Sequence, residues 1–318
     1  MNSRKFKIAS VLSLVSFFLV IDILIFYFFT SLVVSSGSEV MRAKSIELGE
    51  YLPFATETKI VKKKDSVAFS GTKPVIDSAA ALYPVSSAFA YSLYEESDVK
   101  FTGKNFADDS KLQMNNTRSC YQRIVDGTTD IGLLAKPSDE QKEYAKSKWV
   151  ELILNPIGYE AFVFLVNKNN PIDSLTVDQV KGIYNGTYTN WKQLGGYDKE
   201  ILPLQRNKGS GSQTTFLSFM GEEKTVSRTL NRFASPIGFS FRFYVEGVVQ
   251  NGDAKMISLN GVYPDREHIQ SKEYPLTSQF YAVTSSKNDN PNVPIFLDWM
   301  KGERAQSIID GSGYVSAF

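Results

Sequence analysis

Hydrophobic residues along this chain change their spacing from segment to segment, and the spacing predicts an alternation of strands and helices. In AALYPVSSAFAYSLY the apolar residues recur at Leu82, Val85, Phe89 and Leu93, which is helical spacing. The stretch EAFVFLVN (Glu160–Asn167) is almost continuously apolar, as in a strand that is buried on both faces. Strands that alternate with helices predict an α/β fold with mainly parallel sheets.

Further elements follow from the same patterns and from helix-capping signals. Ser138 with Gln141, and Thr176 with Gln179, have the spacing of a capping box, which marks the start of a helix. Strands are predicted at Lys73–Asp77, Thr129–Ala135 and Ile201–Arg206 and in KMISLN and FYAVTS, and helices at Ser138–Lys148, in TVDQVKGIYNG, after Arg206 and over Val293–Asp310.

The N-terminal segment is predicted to enter a membrane. Three basic residues precede an apolar run over 8–34, in which Asp22 is the one charged residue. The run exceeds the about 7–15 apolar residues of a signal peptide and reaches the roughly 20 that span a bilayer. Basic residues before such a run place the N-terminus in the cytoplasm. We predict a membrane anchor or a cleaved signal segment at 1–37, a juxtamembrane linker at 38–71, and an extracytoplasmic folded part.

Composition and charge restrict the chemistry of the folded part. The 318 residues include 35 basic and 34 acidic ones, so no broad basic field is available for nucleic acid. Cys120 and His268 are the only residues of their types, which excludes an intrachain disulfide and a His/Cys metal cage. A Ser-His-Asp site would depend on His268 alone. We therefore predict a binding protein, not an enzyme, with no metal and no cofactor.

The stretch QRNKGSGSQTTF places a cation and two hydroxyls at a glycine turn between a predicted strand and helix. In open α/β sheets, ligands bind where strands lead into helices, and a helix start offers unpaired N–H groups. Arg206 can supply two parallel donors to an oxyanion, and Ser210, Gly211 and Ser212 add further donors. The pattern predicts an oxyanion site. The alternative is an ordinary turn with Ser212 as helix N-cap and Arg206 on the surface.

A second turn from strand to helix lies in IDSAAALYP (Ile76–Pro84). Alanines crowd the predicted helix start there, and their small side chains leave its N–H groups accessible. Two such helix starts, facing each other from two lobes, would enclose one small anion. This second turn therefore strengthens the prediction of an anion site.

Together these stretches resemble a known family, the phosphate-type periplasmic-binding proteins, which are the substrate-binding subunits of phosphate ABC importers. The resemblance extends from about Tyr51 to Phe318, through blocks such as DGTTDIGLLAKPSDEQ, GIYNGTYTNWKQLGG, QRNKGSGSQTTF and LNGVYPDREHIQSKEYPLTSQFYAVT. It implies an α/β fold of two lobes, a type II clamshell, with the ligand in the cleft. Lobe one is then expected at 72–160 plus 255–318, and lobe two at 161–254.

The resemblance also implies the anion-binding residues. The family's arginine corresponds to Arg206, and its Ser-Gly-Thr turn corresponds to Ser210, Gly211 and Ser212. Its backbone donors at the first turn correspond to Ala80, Ala81 and Leu82. Its donor at the second turn corresponds to Thr117 or Arg118.

Two departures from the family pattern affect the expected ligand. Family members usually offer Ser or Thr at the first turn, where this chain has Ala79, Ala80 and Ala81. Phosphate carriers place an acidic residue after the DIG strand to accept a proton of hydrogen phosphate, and the matching residue here is Lys136. A lysine in the cleft favours a fully charged or larger anion; the alternative is that Lys136 points to solvent.

The expected ligand is inorganic phosphate or a similar oxyanion such as sulfate or molybdate, and the expected partner is an ABC permease in the membrane. The alternative function is a membrane-tethered anion sensor or scaffold that no longer serves transport. The long apolar segment, Asp22 and the altered first turn support that alternative. An enzyme that uses Ser210 or Ser212 would lack a nearby base and a metal-ligand cluster.

Overall fold

The computed structural model describes residues 46–226, 234–248 and 253–318. The predicted anchor or signal segment at 1–37 lies outside them, and no helix within them is long and apolar enough to span a membrane. The helices are α1 Tyr83–Leu93, α2 Thr117–Val125, α3 Asp139–Ser147, α4 Val177–Tyr184, α5 Gly211–Met220, α6 Arg266–Gln270, α7 Asn292–Lys301 and α8 Glu303–Gly311. The strands are β1 Ile76–Ser78, β2 Ile131–Leu134, β3 Leu152–Asn167, β4 Ser174–Leu175, β5 Ile201–Pro203, β6 Ser235–Phe241, β7 Ala254–Met256, β8 Ser258–Leu259, β9 Thr277–Ser285 and β10 Val315–Ser316.

The longest strand, β3, connects the two parts of the main sheet, whose order is β1-β2-β9-β3-β6-β5. Up to Ala161 it pairs antiparallel with β9, and beyond that residue it pairs antiparallel with β6 and β7. Among the strands that the structure describes, parallel pairing joins β1 with β2, β5 with β6, and the short β4 with β8. The expectation of mainly parallel sheets is wrong, because β3 and β9 run side by side in opposite directions through the centre of the sheet.

Two hydrophobic cores share β3. The first packs α1 against α7 and α8, and Phe89 and Phe296 are completely buried in it. The second packs α4 and α5 against β3 and β6, where the rings of Phe216 and Phe239 stack with centroids 4.4 Å apart. Because β3 contributes Ile157 to the first core and its apolar end to the second, one continuous strand holds both lobes.

The second core extends further along the chain than the predicted end of lobe two at residue 254. Ile257, Leu259, Ile269 and Tyr274 are all buried in that core. We propose that the chain leaves lobe two at β9, so that lobe one comprises 72–160 and about 277–318.

The described part of the predicted linker packs against lobe one. Ile46, Tyr51 and Ile60 are buried members of the first core. The Ser87 hydroxyl of α1 donates a hydrogen bond to the Tyr51 carbonyl. Within residues 46–71, the predicted linker therefore packs against lobe one, because its scattered apolar residues find a partner surface on α1.

Local signals in the sequence account for several helix boundaries. Both capping boxes are present: the Ser138 hydroxyl accepts the Gln141 N–H at 3.3 Å, and the Thr176 hydroxyl accepts the Gln179 N–H at 3.0 Å. The single helix predicted over 293–310 is instead two helices, α7 and α8. Gly302 separates them because its backbone is extended, with φ −73° and ψ 157°.

Candidate functional site

A cavity of about 470 Å³ lies where strand ends and helix starts of both lobes meet. Residues from α2 and from the turn before α1 face residues from the start of α5 across it. Nine of the predicted site residues line this cavity: Ala80, Ala81, Leu82, Thr117, Arg118, Arg206, Ser210, Gly211 and Ser212.

Arg206 is a half-buried cation at this cavity, beyond the end of β5. Burial lowers the pKa of its guanidinium, and the opposing influence comes from Tyr244 rather than from a carboxylate. Among the described residues, no acidic side chain forms an ion pair with Arg206, whereas Arg118 nearby pairs with Glu140. A partly desolvated cation without a counter-charge is destabilising, and a bound anion would relieve that cost.

Gln213, on the first turn of α5, holds the backbone of Arg206 in place. Its Oε1 accepts the Arg206 N–H at 2.8 Å, and its Nε2 donates to Gln205 Oε1 at 3.0 Å. The side chain of Gln213 is buried, so these bonds are shielded from water. The backbone that carries the Arg206 side chain is thereby fixed relative to the helix start beside it.

Three helix starts contribute backbone donors to the cavity lining: those of α2, of α5, and of a short 3-10 helix at Ala80–Leu82 that leads into α1. A helix leaves its first N–H groups without intrahelical acceptors. In the described part of the chain, no acceptor is found for the N–H groups of Ala80, Ala81, Thr117, Arg118, Gly211 and Ser212. Leu82 was also expected to offer a backbone donor to the anion, but its N–H donates to the Ala79 carbonyl at 2.8 Å.

The starts of α2 and α5 approach each other closely. A Cβ added to Gly211 would lie 3.4 Å from Thr117 Oγ1 and 3.5 Å from the Ala135 side chain, which is ordinary van der Waals contact. Ser210, and not Ser212, is the N-cap of α5: its hydroxyl oxygen accepts the Gln213 N–H at 3.2 Å, which leaves the hydroxyl proton available for donation. The assignment of Ser212 as N-cap, which the surface-turn alternative made, is therefore wrong.

The Arg118 side chain joins the two lobes. Its Nη2 donates to the Lys208 carbonyl at 3.2 Å and lies 3.4 Å from Glu140 Oε2. Nearby, Gln141 Nε2 donates to the Gly209 carbonyl at 3.4 Å. The backbone N–H of Arg118 remains available to an anion, while its guanidinium is engaged in this contact between lobes.

Lys136 is not brought into the cavity. Its side chain is exposed and borders a separate surface depression with Pro137 and Ser138. Ala135, the preceding residue, lines the cavity instead. Of the two alternatives for Lys136, the geometry favours the one that points to solvent.

Several lining residues were not anticipated from the sequence. Glu160 is the one carboxyl among the described lining residues, and Tyr244 and Gln279 also border the cavity. Tyr314 donates its hydroxyl to the Ala81 carbonyl and so fixes the first turn. These residues come from β3, from the turn after β6, from β9 and from the chain just before β10, and no local motif marks them.

Neither the lone histidine nor the lone cysteine takes part in the cavity lining. His268 Nδ1 lies 2.8 Å from Asp265 Oδ2 on α6. Cys120 is completely buried, and burial raises the pKa of its thiol. Among the residues that the structure describes, no group of three or more His, Cys, Asp and Glu side chains could hold a metal ion. The chemistry that this cavity offers is hydrogen-bond donation to an anion.

Sequence comparison agrees with this geometry. The profile of a family described as a PBP superfamily domain matches residues 75–304. The phosphate-binding protein PstS of Bacillus subtilis strain 168 is 24% identical over 228 residues, covering 68% of this chain and 74% of its own length. The protein of the same name from Staphylococcus epidermidis strain RP62A is 24% identical over 231 residues, covering 66% and 71%.

Solved structures share the fold. A putative phosphate ABC transporter substrate-binding protein from Clostridium perfringens, solved with bound phosphate, matches 80% of this chain and 100% of its own, with a TM-score of 0.57 and 23% identity. An ABC-type phosphate transport receptor from Vibrio cholerae matches 76% and 99%, with a TM-score of 0.55 and 21% identity. The predicted two-lobed α/β fold is confirmed. The chain belongs to the PBP superfamily domain family, in agreement with its resemblance to periplasmic-binding proteins.

Proposed function

We propose that this protein binds inorganic phosphate, or a closely similar oxyanion, outside the cytoplasm and delivers it to an ABC permease in the membrane. The observation that carries the proposal is Arg206, a half-buried guanidinium that no carboxylate of the described residues neutralises. Relatives named phosphate-binding protein PstS support the choice of phosphate. The protein acts as a carrier and catalyses no reaction.

An oxyanion in the cavity supplies the counter-charge that Arg206 lacks. The guanidinium donates two parallel hydrogen bonds, while the starts of α2 and α5 donate through the N–H groups of Thr117 and Gly211 and their neighbours. Each hydrogen bond to a charged group contributes about 1.5–3 kcal/mol. Because the donors belong to both lobes, one bound anion holds the lobes together, and the permease recognises the closed form.

Titration of the purified full chain tests this function. We expect calorimetry with phosphate, sulfate and molybdate, at two pH values, to show the tightest binding for phosphate. If sulfate or molybdate binds more tightly, the site stands but the choice of phosphate is wrong. If none of the three binds, the transport function fails and a role without anion capture takes its place.

A membrane-tethered sensor or scaffold is the second candidate. It is favoured by the first turn, where Ala79, Ala80 and Ala81 line the cavity without hydroxyls and the N–H of Ala79 already donates to the Leu133 carbonyl at 3.2 Å. With fewer hydrogen-bond donors the cavity should bind the anion more weakly, which suits a sensor of anion concentration better than a transport protein. The titration separates a carrier from a scaffold, because a carrier must bind its anion and a scaffold need not; a sensor should bind phosphate, but more weakly than a carrier does.

We propose that the apolar segment at 8–34 stays attached as an anchor. Its length supports this, since it exceeds the apolar core of a typical cleaved signal. Mass spectrometry of the protein from membranes of the producing cell should give the mass of the uncleaved chain. A mass that corresponds to a chain beginning after residue 37 would show that the segment is a signal that is removed.

A further inference from the structure

Glu160 places a buried carboxyl inside a cavity that otherwise gathers donors for an anion. The residue is 5% exposed, and it is the one acidic side chain among the described residues that line the cavity. It lies on β3 beside Ala161, where the strand passes from its pairing with β9 to its pairing with β6. Its position at the crossing between the lobes places it in the cleft itself.

The carboxyl of Glu160 is held by backbone groups and not by a cation. Oε1 accepts the Ala161 N–H at 2.8 Å, and Oε2 accepts the Phe243 N–H at 3.3 Å. The guanidinium that lowers the pKa of Glu160 through its charge, that of Arg242, is engaged elsewhere: it pairs with Glu246 at 2.8 Å and donates to the Gly313 carbonyl at 3.2 Å.

Groups on each neighbouring element act on the charge of Glu160. Burial raises its pKa to about 8, the two N–H bonds and Arg242 lower it, and Glu246 raises it. Tyr314 faces it from the chain before β10, and its own pKa is raised by burial and by Glu160. Arg206, Lys208 and Tyr244 are the titratable groups of lobe two that share the cavity, and Arg118 lines it from lobe one. At neutral pH, Glu160 is therefore mainly a neutral acid, which has an O–H to donate.

We propose that anion capture by this cleft is coupled to a proton on Glu160, so that the neutral carboxyl donates a hydrogen bond to an unprotonated oxygen of the anion. This inference rests on the proposed function. When the carboxylate form meets the anion, one proton moves from solvent to a Glu160 oxygen, because two negative charges in one desolvated cavity repel each other. Glu160 thus selects oxygens that carry no proton, the opposite of an acidic residue that accepts a proton from hydrogen phosphate.

Protonation of Glu160 and binding of the anion favour each other. The anion raises the pKa of Glu160 further, so affinity is constant well below pH 8 and falls as the pH rises through that value. If only the neutral form binds, affinity falls by about tenfold per pH unit above pH 8, which amounts to about 20-fold between pH 7.5 and 9.5. Over this range inorganic phosphate is mainly the dianion, so its own charge changes little.

The experiment is calorimetry of the full chain with inorganic phosphate at pH 7.5 and 9.5, each in two buffers that differ in their enthalpy of ionisation. Wild type should lose about 20-fold in affinity and take up close to one proton per anion at the higher pH. Glu160→Gln keeps the shape but cannot titrate, so its affinity should be the same at both pH values with no proton uptake. Glu143→Gln, on the exposed face of α3, removes a carboxyl outside the cavity and should behave as wild type.

Each other outcome overturns the coupling. If wild type binds phosphate equally well at both pH values without proton uptake, Glu160 either contributes nothing or accepts the ligand's own proton. If Glu160→Gln retains the wild-type pH profile, another group titrates and this inference alone fails. If wild type binds no anion at either pH, the proposed function falls as well. If Glu160→Gln fails to fold, the number of protons that wild type takes up per anion at pH 9.5 tests the coupling by itself.

Discussion

Replacement of Arg206 by alanine should lower phosphate affinity by about 100-fold or more. The guanidinium is half-buried at the cavity, and no described carboxylate neutralises it, so its hydrogen bonds are available to the ligand. Two hydrogen bonds to a charged group, at about 1.5 kcal/mol or more each, correspond to that factor. Calorimetric titration with phosphate at pH 7 measures it.

Two further variants serve as comparisons for Arg206→Ala. Arg206→Lys keeps the charge but loses the planar fork, so its affinity should lie between those of wild type and Arg206→Ala. Lys136→Ala removes a cation that lies outside the cavity, and affinity should stay within about twofold of wild type. An affinity of Arg206→Ala within threefold of wild type would remove Arg206 from the site. A large loss in Lys136→Ala would show that Lys136 reaches the anion after all.

Replacement of Phe216 by alanine should lower the free energy of unfolding by about 3–5 kcal/mol. Phe216 is completely buried on α5, stacked on Phe239 at 4.4 Å and packed against Tyr184 at 4.6 Å between ring centroids. Truncation leaves a cavity in the second core, directly behind the helix start that carries Gly211 and Ser212. Denaturant unfolding followed by tryptophan fluorescence measures the loss.

Leu217, the next residue on the same helix, provides the control. It is 46% exposed, so Leu217→Ala should cost less than about 1 kcal/mol. If Phe216→Ala does not fold, Phe216→Leu keeps most of the volume and should lose a smaller amount. Equal losses in the alanine variants of the two neighbouring residues would contradict the described packing of α5.

Features that depend on a few neighbouring residues were predictable from the sequence. The capping boxes at Ser138 and Thr176 set the first residues of α3 and α4, because both partners lie on one helical turn. The oxyanion turn was visible for the same reason: Arg206 and the start of α5 lie within a few residues of each other. Such signals need no knowledge of the distant chain.

Features that depend on distant chain segments were not predictable. The first part of β3 contains Asn155 and Pro156, and its strand conformation comes from pairing with β9 across more than a hundred residues. The direction of Lys136 depended on the path of the chain after β2, which ends at Leu134. Glu160 resembled the beginning of a buried strand, and only the folded chain places its carboxyl among the anion donors.

The division of the cores along the chain has a consequence for the order in which the protein forms during synthesis. All buried members of the second core except Val315 lie between Ala161 and Tyr274, so this lobe is nearly complete once that stretch has emerged. The first core still lacks Phe296 and Ile308 at that moment, because α7 and α8 are made last. Domains usually fold from the N-terminus onward. Here the lobe that holds the beginning of the described chain must wait for its end, and the inserted lobe matures first.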